Sequence, residues 1–274
     1  MLQLHHNQTI DKVFQVKDDK IMIYITGDMH NDFRRISNKN LKKNNIPLSE
    51  EDYLIVCGDF GLCWARDRTF EWGCNWFAQT KFTTLWVQGN HENYDMIAEY
   101  PLEEWHGGKV RHIVRDKVIL LERGQIFNIE GKSFFTFGGA SSHDMQGGLL
   151  DRNDPDFDFC LKYARNNWLP YRIIGESWWA QELPSEDEMQ EGLNNLKAVD
   201  YKVDYVITHC CASNLQHLIK PNYKNDVLTD YFQQLEERLD YKHWFFGHYH
   251  EDATDEENRH TVVYKRILPI EEVD

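Results

Sequence analysis

Three times before residue 91 the chain runs through a short apolar stretch and closes it on glycine followed by a carboxylate or its amide: IMIYITGD (21–28), DYLIVCGD (52–59) and TTLWVQGN (83–90). Each stretch reads as a buried strand, and a helical pattern follows each one. FRRISNKNL sets Phe33, Ile36 and Leu41 near one helical face, TFEWGCNWF sets Phe70, Cys74 and Phe77, and the short NYDMIAEY is stopped by Pro101. Strand and helix in alternation define an α/β protein. Open sheets of that class bind ligands beyond the carboxyl ends of their strands, so the polar tips are expected to converge there.

The rest of the chain extends this plan. Residues 118–141, VILLERGQIFNIEGKSFFTFGGAS, read as a second set of strands joined by glycine-containing turns. Between 143 and 184 the pattern becomes irregular, with the acidic run DRNDPDFD and the pair Trp178 and Trp179, as in an inserted loop region or small subdomain. Ser185 and Glu188 form a capping box ahead of the helical stripe Met189, Leu193, Leu196. VDYVITH, a helix carrying Leu228, Tyr231, Phe232, Leu235 and Leu239, HWFFGHYH and finally HTVVYKRI complete the elements. No internal repeat or low-complexity linker divides the 274 residues, so a single domain spanning 1–274, with the insertion at about 143–184, is expected.

Charge narrows the partners. With 45 acidic against 30 basic residues, the net charge of −15 argues against broad attraction to nucleic acid or anionic lipid. No apolar run approaches the roughly 18 residues needed to span a bilayer, and IMIYIT is too short for a signal sequence. The six cysteines form no C-x-x-C pair, and Cys210 and Cys211 are adjacent, which suits reduced thiols in a cytoplasmic protein.

The strand tips, in chain order, are Asp28 and His30 (GDMH), Asp59 (GDF), Asn90 and His91 (GNHE), His209 (ITHC), and His248 and His250 (GHYH). A single Gly-Asp after a strand is most often a turn that enters a helix. Several such tips, all after buried strands, are much harder to assign to turn chemistry alone. Carboxylate, amide and imidazole donors without thiolate suit Mn, Fe, Zn or a similar divalent ion. They are also too many for one ion, whereas a pair sharing a bridging carboxylate accommodates them. Two ions about 3.5–4 Å apart bind a phosphate oxygen, generate a bridging hydroxide and stabilise in-line displacement at phosphorus. Hydrolysis of a phosphomonoester or phosphodiester is the expected reaction.

The order D-x-H, G-D, G-N-H-[DE], H, G-H-x-H, matched from residue 28 to 250, resembles that of the calcineurin-like metallophosphoesterases. The resemblance implies a four-layer α/β/β/α sandwich, two mixed sheets flanked by helices. It further implies that Asp28, His30 and His250 hold one metal and Asn90, His209 and His248 a second. Asp59 would bridge them, and His91 would be a catalytic non-ligand that stabilises the transition state or protonates the leaving oxygen. One departure stands out. In the family's protein phosphatases and dinucleoside tetraphosphate hydrolases the second motif runs G-D-x-x-D-R-G, its second Asp orienting the histidine and its Arg binding phosphate. GDFGLCW puts Leu62 and Cys63 there, so another residue must orient His91. Asn31 stands where many members have glycine, and its side chain is expected to line the pocket.

Other residues point to the site less specifically. His143 in GGASSHD reads as a loop histidine without a metal role, and DRNDPDFD as a solvated acidic loop lacking EF-hand spacing. Arg66, Arg68, Arg111 and Arg152 are candidates for the missing phosphate-binding arginine. Trp178 and Trp179 read as packing of the insertion, and His5 and His6 as a surface tail. Two rival functions share this fold: a metal-binding scaffold or pseudoenzyme, which has no need of His91, and a nuclease acting on single strands or ends, which would need a basic, aromatic-lined groove.

Overall fold

Side-chain alternation along each strand decides what it packs against, and here both faces are apolar. In β1 (Ile23–Thr26), Ile23 and Ile25 enter one core while Tyr24 enters another; in β2 (Tyr53–Val56), Ile55 joins the first and Leu54 and Val56 the second. The structure, a computed structural model, describes residues 20–255, 257 and 259–273. His5 and His6 lie outside the described residues.

Two sheets result. The first has seven described strands in the order β15-β1-β2-β3-β6-β5-β4, where β3 is Thr83–Trp86, β4 Glu103–Trp105, β5 Gly108–Val114, β6 Val118–Leu121 and β15 Leu268–Pro269. β1, β2, β3 and β6 are parallel, with antiparallel strands at both edges. The second sheet runs β13-β14-β12-β11-β8-β7, formed by β7 (Gln125–Ile129), β8 (Lys132–Phe137), β11 (Tyr205–Thr208), β12 (His243–Phe246), β13 (Ala253–Thr254) and β14 (His260–Val262). β8, β11, β12 and β14 are parallel.

The inner faces share one core, in which Ile25, Ile55 and Leu85 meet Phe134, Tyr205, Ile207 and Phe245. Outside the first sheet, Leu54, Val56 and Trp86 pack with Phe33, Leu41 and Phe77, the last two carried on α1 (Asn38–Lys43) and α2 (Arg68–Phe77). Outside the second, Phe135, Val206 and Trp244 pack with Leu196 of α5 (Glu186–Ala198) and with Leu228, Phe232 and Leu235 of α7 (Val227–Glu236). This is the expected four-layer α/β/β/α arrangement. No helix among the described residues is long and apolar enough to cross a membrane.

Several elements depart from the sequence reading. The run 118–141 is divided between sheets: β6 completes the first, and the chain crosses at Glu122–Gly124 to start the second. The helix expected over 33–41 is broken at Ser37, whose extended backbone ends a 3-10 turn (Phe33–Ile36) before α1 begins. This fits serine's preference for cap positions over helix interiors. The strand expected over 260–267 stops at Val262, because Asp252 accepts hydrogen bonds from the backbone of Tyr264, Lys265 and Arg266 and turns the chain. The 143–184 segment is not irregular throughout. It holds a two-stranded parallel pair, β9 (Leu149–Leu150) with β10 (Arg172–Ile173), and a helix, α4 (Phe157–Asn166), that starts within the acidic run.

Candidate metal centre

The carboxyl ends of the two sheets meet tip to tip, and glycines make the meeting possible. Gly58 has φ +86°, and a Cβ there would lie 2.2 Å from Nδ1 of His209. A Cβ on Gly247 would lie 2.3 Å from Oδ1 of Asp28. The glycine before a polar tip is therefore the clearance that lets a residue from the opposite sheet approach the backbone. Beyond the strands the backbone turns left-handed, with His30, Asn31, Asp59, His248 and His250 at φ between 44° and 68°. Non-glycine residues in this region cost about 1–3 kcal/mol each, and such strain clusters at functional sites. Asn31, at the family's glycine position, keeps the left-handed backbone but is exposed and donates its N–H to Phe60 O at 3.1 Å.

The expected ligands form two groups. Around Asp28, Oδ2 lies 3.1 Å from His250 Nε2 and 3.9 Å from His30 Nε2, and those two nitrogens are 3.0 Å apart. Around Asp59, Oδ1 lies 3.4 Å from His209 Nε2, which is 3.2 Å from Asn90 Oδ1. Donors about 2.1 Å from one ion lie roughly 3–4.2 Å from one another, from adjacent to opposite positions, so both groups have the spacing of a coordination sphere. Asp28, Asp59 and His209 also come within ligand distance of each other. His248 stands close by, its ring centroid 5.0 Å from that of His209. Asp28 Oδ2 and His248 Nε2 are buried without a hydrogen-bond partner, and atoms of this kind call for a ligand.

Surrounding groups fix the donors' orientation. His209 Nδ1 donates to Cys57 O at 2.7 Å, which fixes the ring with Nε2 facing Asp59 and Asn90. Asp28 Oδ1 accepts from His248 N, and Asp59 Oδ1 accepts from His91 N, so each carboxylate also holds backbone in place. His250 stacks on Tyr264 at 4.6 Å. Burial by itself would raise the Asp59 pKa, but the imidazoles of His209, His91 and His30 outweigh it and hold this carboxyl well below its ordinary range. Burial works against the His209 cation, yet Asp59 overcomes it and pushes the pKa up to about 9. These buried carboxylates demand positive charge between the sheets.

His91 lies apart from the ligand groups, its Nε2 4.0 Å from Asp59 Oδ2. Burial, with the Arg172 guanidinium adding to it and Asp59 opposing, pushes its pKa down. Arg172, on β10, brings Nη2 within 3.1–3.2 Å of both ring nitrogens and binds Asp144 through Nε–Oδ1 (3.1 Å) and Nη2–Oδ2 (2.5 Å). A second chain of contacts reaches Asn90. Buried Glu182 accepts from Ser142 N (2.9 Å) and Ser142 Oγ (2.6 Å), and Asn90 Nδ2 donates to that Oγ at 3.2 Å. This turns Asn90 Oδ1 toward His209. Burial raises the Glu182 pKa, with Ser142's donors opposing.

Arg172, Asp144, Ser142 and Glu182 escaped the sequence reading; only the GGASSHD loop, which holds two of them, drew attention to the region. The four arginines proposed for phosphate are engaged elsewhere or face away: Arg66 with Glu99, Arg111 with Glu122, Arg152 with Glu176, and Arg68 exposed at the start of α2. His143, expected to be a loop histidine without a metal role, lines the cleft, its ring tilted against Tyr223 at 3.8 Å between centroids and 5.4 Å from the His248 ring. Trp179 packs edge-on against Trp64 and donates to Asp95, a packing role. Leu62 and Cys63 are buried in the core beneath α2. The cleft over the tips has a volume of about 380 Å³.

Two sheets whose strand ends oppose carboxylates, an amide and imidazoles define a class of protein built to hold divalent ions. The family model for calcineurin-like phosphoesterases matches residues 21–252, and the chain belongs to this family of metal-dependent phosphoesterases. No curated protein matches it significantly. Among solved structures it is similar to the phosphopantetheinyl hydrolase from Mycobacterium tuberculosis, at 14% identity over 89% of this chain and 90% of that chain, with a TM-score of 0.40.

Proposed function

We propose that this protein is a dinuclear metal-dependent phosphoesterase that hydrolyses a phosphomonoester or phosphodiester. The observation that carries the reading is the disposition of Asp59, whose Oδ1 faces His209 at 3.4 Å and whose Oδ2 faces His30 at 3.8 Å. One carboxylate thus presents an oxygen to each donor group, as a bridge requires. Asp28, His30 and His250 would hold one ion, and Asn90, His209 and His248 the other. The oxygen and nitrogen donors suit Mn²⁺, Fe²⁺/Fe³⁺ or Zn²⁺. When bound, such a pair supplies Lewis acidity to phosphate oxygens and activates water as the nucleophile.

The chain's own residues do the rest. Asp28 and Asp59 balance the cationic charge, Asn90 adds a neutral oxygen, and the cleft admits the phosphate head while His91 stands at its wall. There His91 serves the leaving oxygen by donating a hydrogen bond or proton. A scaffold that only docked a partner would gain nothing from it. The test is turnover of p-nitrophenyl phosphate and bis-p-nitrophenyl phosphate with added Mn²⁺. Chelator-sensitive hydrolysis of at least one is expected; hydrolysis of neither, in protein shown to bind the metal, would overturn the assignment.

A further inference from the structure

We propose that Arg172, carried on the inserted segment and clamped by Asp144, is the positioning residue for His91, and that the insertion is therefore part of the active site. The role presupposes that His91 serves the leaving oxygen, and the two can fail separately.

Asp59 fixes the His91 backbone through the 2.8 Å bond to its N–H, but a backbone bond leaves the ring free to rotate. Among the described residues no carboxylate accepts from the ring: Asp59 Oδ2 at 4.0 Å is beyond hydrogen-bond reach. Leu62, at the position of the family's orienting Asp, points into the core, where a Cβ on Gly73 of α2 would come within 2.6 Å of its Cδ1. The guanidinium of Arg172 is the charged group that does touch the ring. Its Nη2 is 3.2 Å from Nδ1 and 3.1 Å from Nε2, and an in-plane approach to both would place it on top of Cε1. Nη2 therefore sits over the face of the imidazole.

A contact over the ring face differs in kind from the missing carboxylate's action. A carboxylate would engage one ring nitrogen in the plane, whereas Nη2 over the face confines the ring and leaves both nitrogens available in its plane. The clamp is itself built. Arg172's side chain is only 9% exposed, and Asp144 receives its Nε and Nη2 as a two-pronged pair. Its backbone is pinned by N–H donation to Gly148 O at 3.2 Å and by pairing with Leu149.

The experiment is a double-mutant cycle on R172A and H91N, with R172K and D144N beside them, read by kcat, KM and metal content on aryl phosphates of rising leaving-group pKa. R172A should lower kcat on the order of 10²-fold with metal content unchanged, more steeply for poorer leaving groups. Added to H91N it should lower kcat no further. R172K, which cannot bind Asp144 with two prongs, should restore little, while guanidinium ion in the buffer should restore part of the R172A rate. D144N, which leaves the arginine in place, should give a smaller loss of the same kind. In metal-free protein, the ring Cε1–H resonance of His91, identified by its absence in H91N, should shift in R172A. Additive losses in the cycle, loss of metal in R172A or an unmoved resonance would each overturn the role; an inactive wild type with a shifted resonance would instead overturn the phosphoesterase reading alone.

Discussion

Asp28, Asp59 and His209 stand on backbone that the parallel strands already fix, one to three residues past β1, β2 and β11. Arg172 and Glu182 reach the same cleft from a segment whose own sheet pairs only two residues of each strand. The first set owes its place to strand geometry and the glycines that let the sheets close. The second owes its place to side-chain bonds, the Asp144 clamp and the Ser142 bridge. On the proposed reading, donors for a cation are built on the rigid part, and groups that aim other side chains are built on the adaptable part. If so, mutations in the two regions should separate metal content from turnover.

The largest separation is expected between Asp59→Asn and His91→Asn. Asp59→Asn should strip at least one ion and reduce turnover by ~10³-fold or more, because it removes the oxygen charge shared by both donor groups. His91→Asn should keep metal content and lower turnover by ~10²-fold; metal analysis beside kcat distinguishes them, and loss of metal from the histidine variant would contradict its assignment. A middle case is Ser142→Ala. With Asn90 Nδ2 unanchored, metal affinity should fall by about 10-fold while the fold persists, as competitive chelator titration would reveal.

The smallest expected effect is a pH dependence. Burial raises the Glu182 pKa above the ordinary glutamate value of about 4.5. The folded state thus holds this proton more tightly than the unfolded one. The associated stability is fully present below about pH 4.5 and is lost as pH rises through the raised folded value. Glu182→Gln lacks this proton, so urea denaturation of metal-free protein should show the stability of wild type relative to the variant falling as pH rises above about 4.5. A relative stability that rises with pH would contradict the sign.

The rigid part was legible in the sequence because glycine, carboxylate and imidazole follow each buried run directly, and the strand period then sets where they point. The four-layer architecture was legible with it. What was not legible depends on contacts between distant residues. Arg172 and His91 are 81 residues apart, and Ser142 and Glu182 are 40 apart. In each case one partner lies in a stretch with no periodicity to announce its direction. The crossover at Glu122–Gly124 was hidden for a related reason, since β6 and β7 look alike as apolar runs although they enter different sheets. β4 and β15 are edge strands, where short pairing and Pro269 leave little signal.

The tip-to-tip meeting of the sheets has a mechanical consequence. Asp28, Asp59 and Asn90 come from one sheet, His209, His248 and His250 from the other. An ion shared among them would be a reversible cross-link, fastening the open ends of a sandwich much as a clasp fastens two covers. Since such a clasp engages only the closed form, free metal would raise the melting temperature with its concentration, and chelation would loosen the molecule first at its working end.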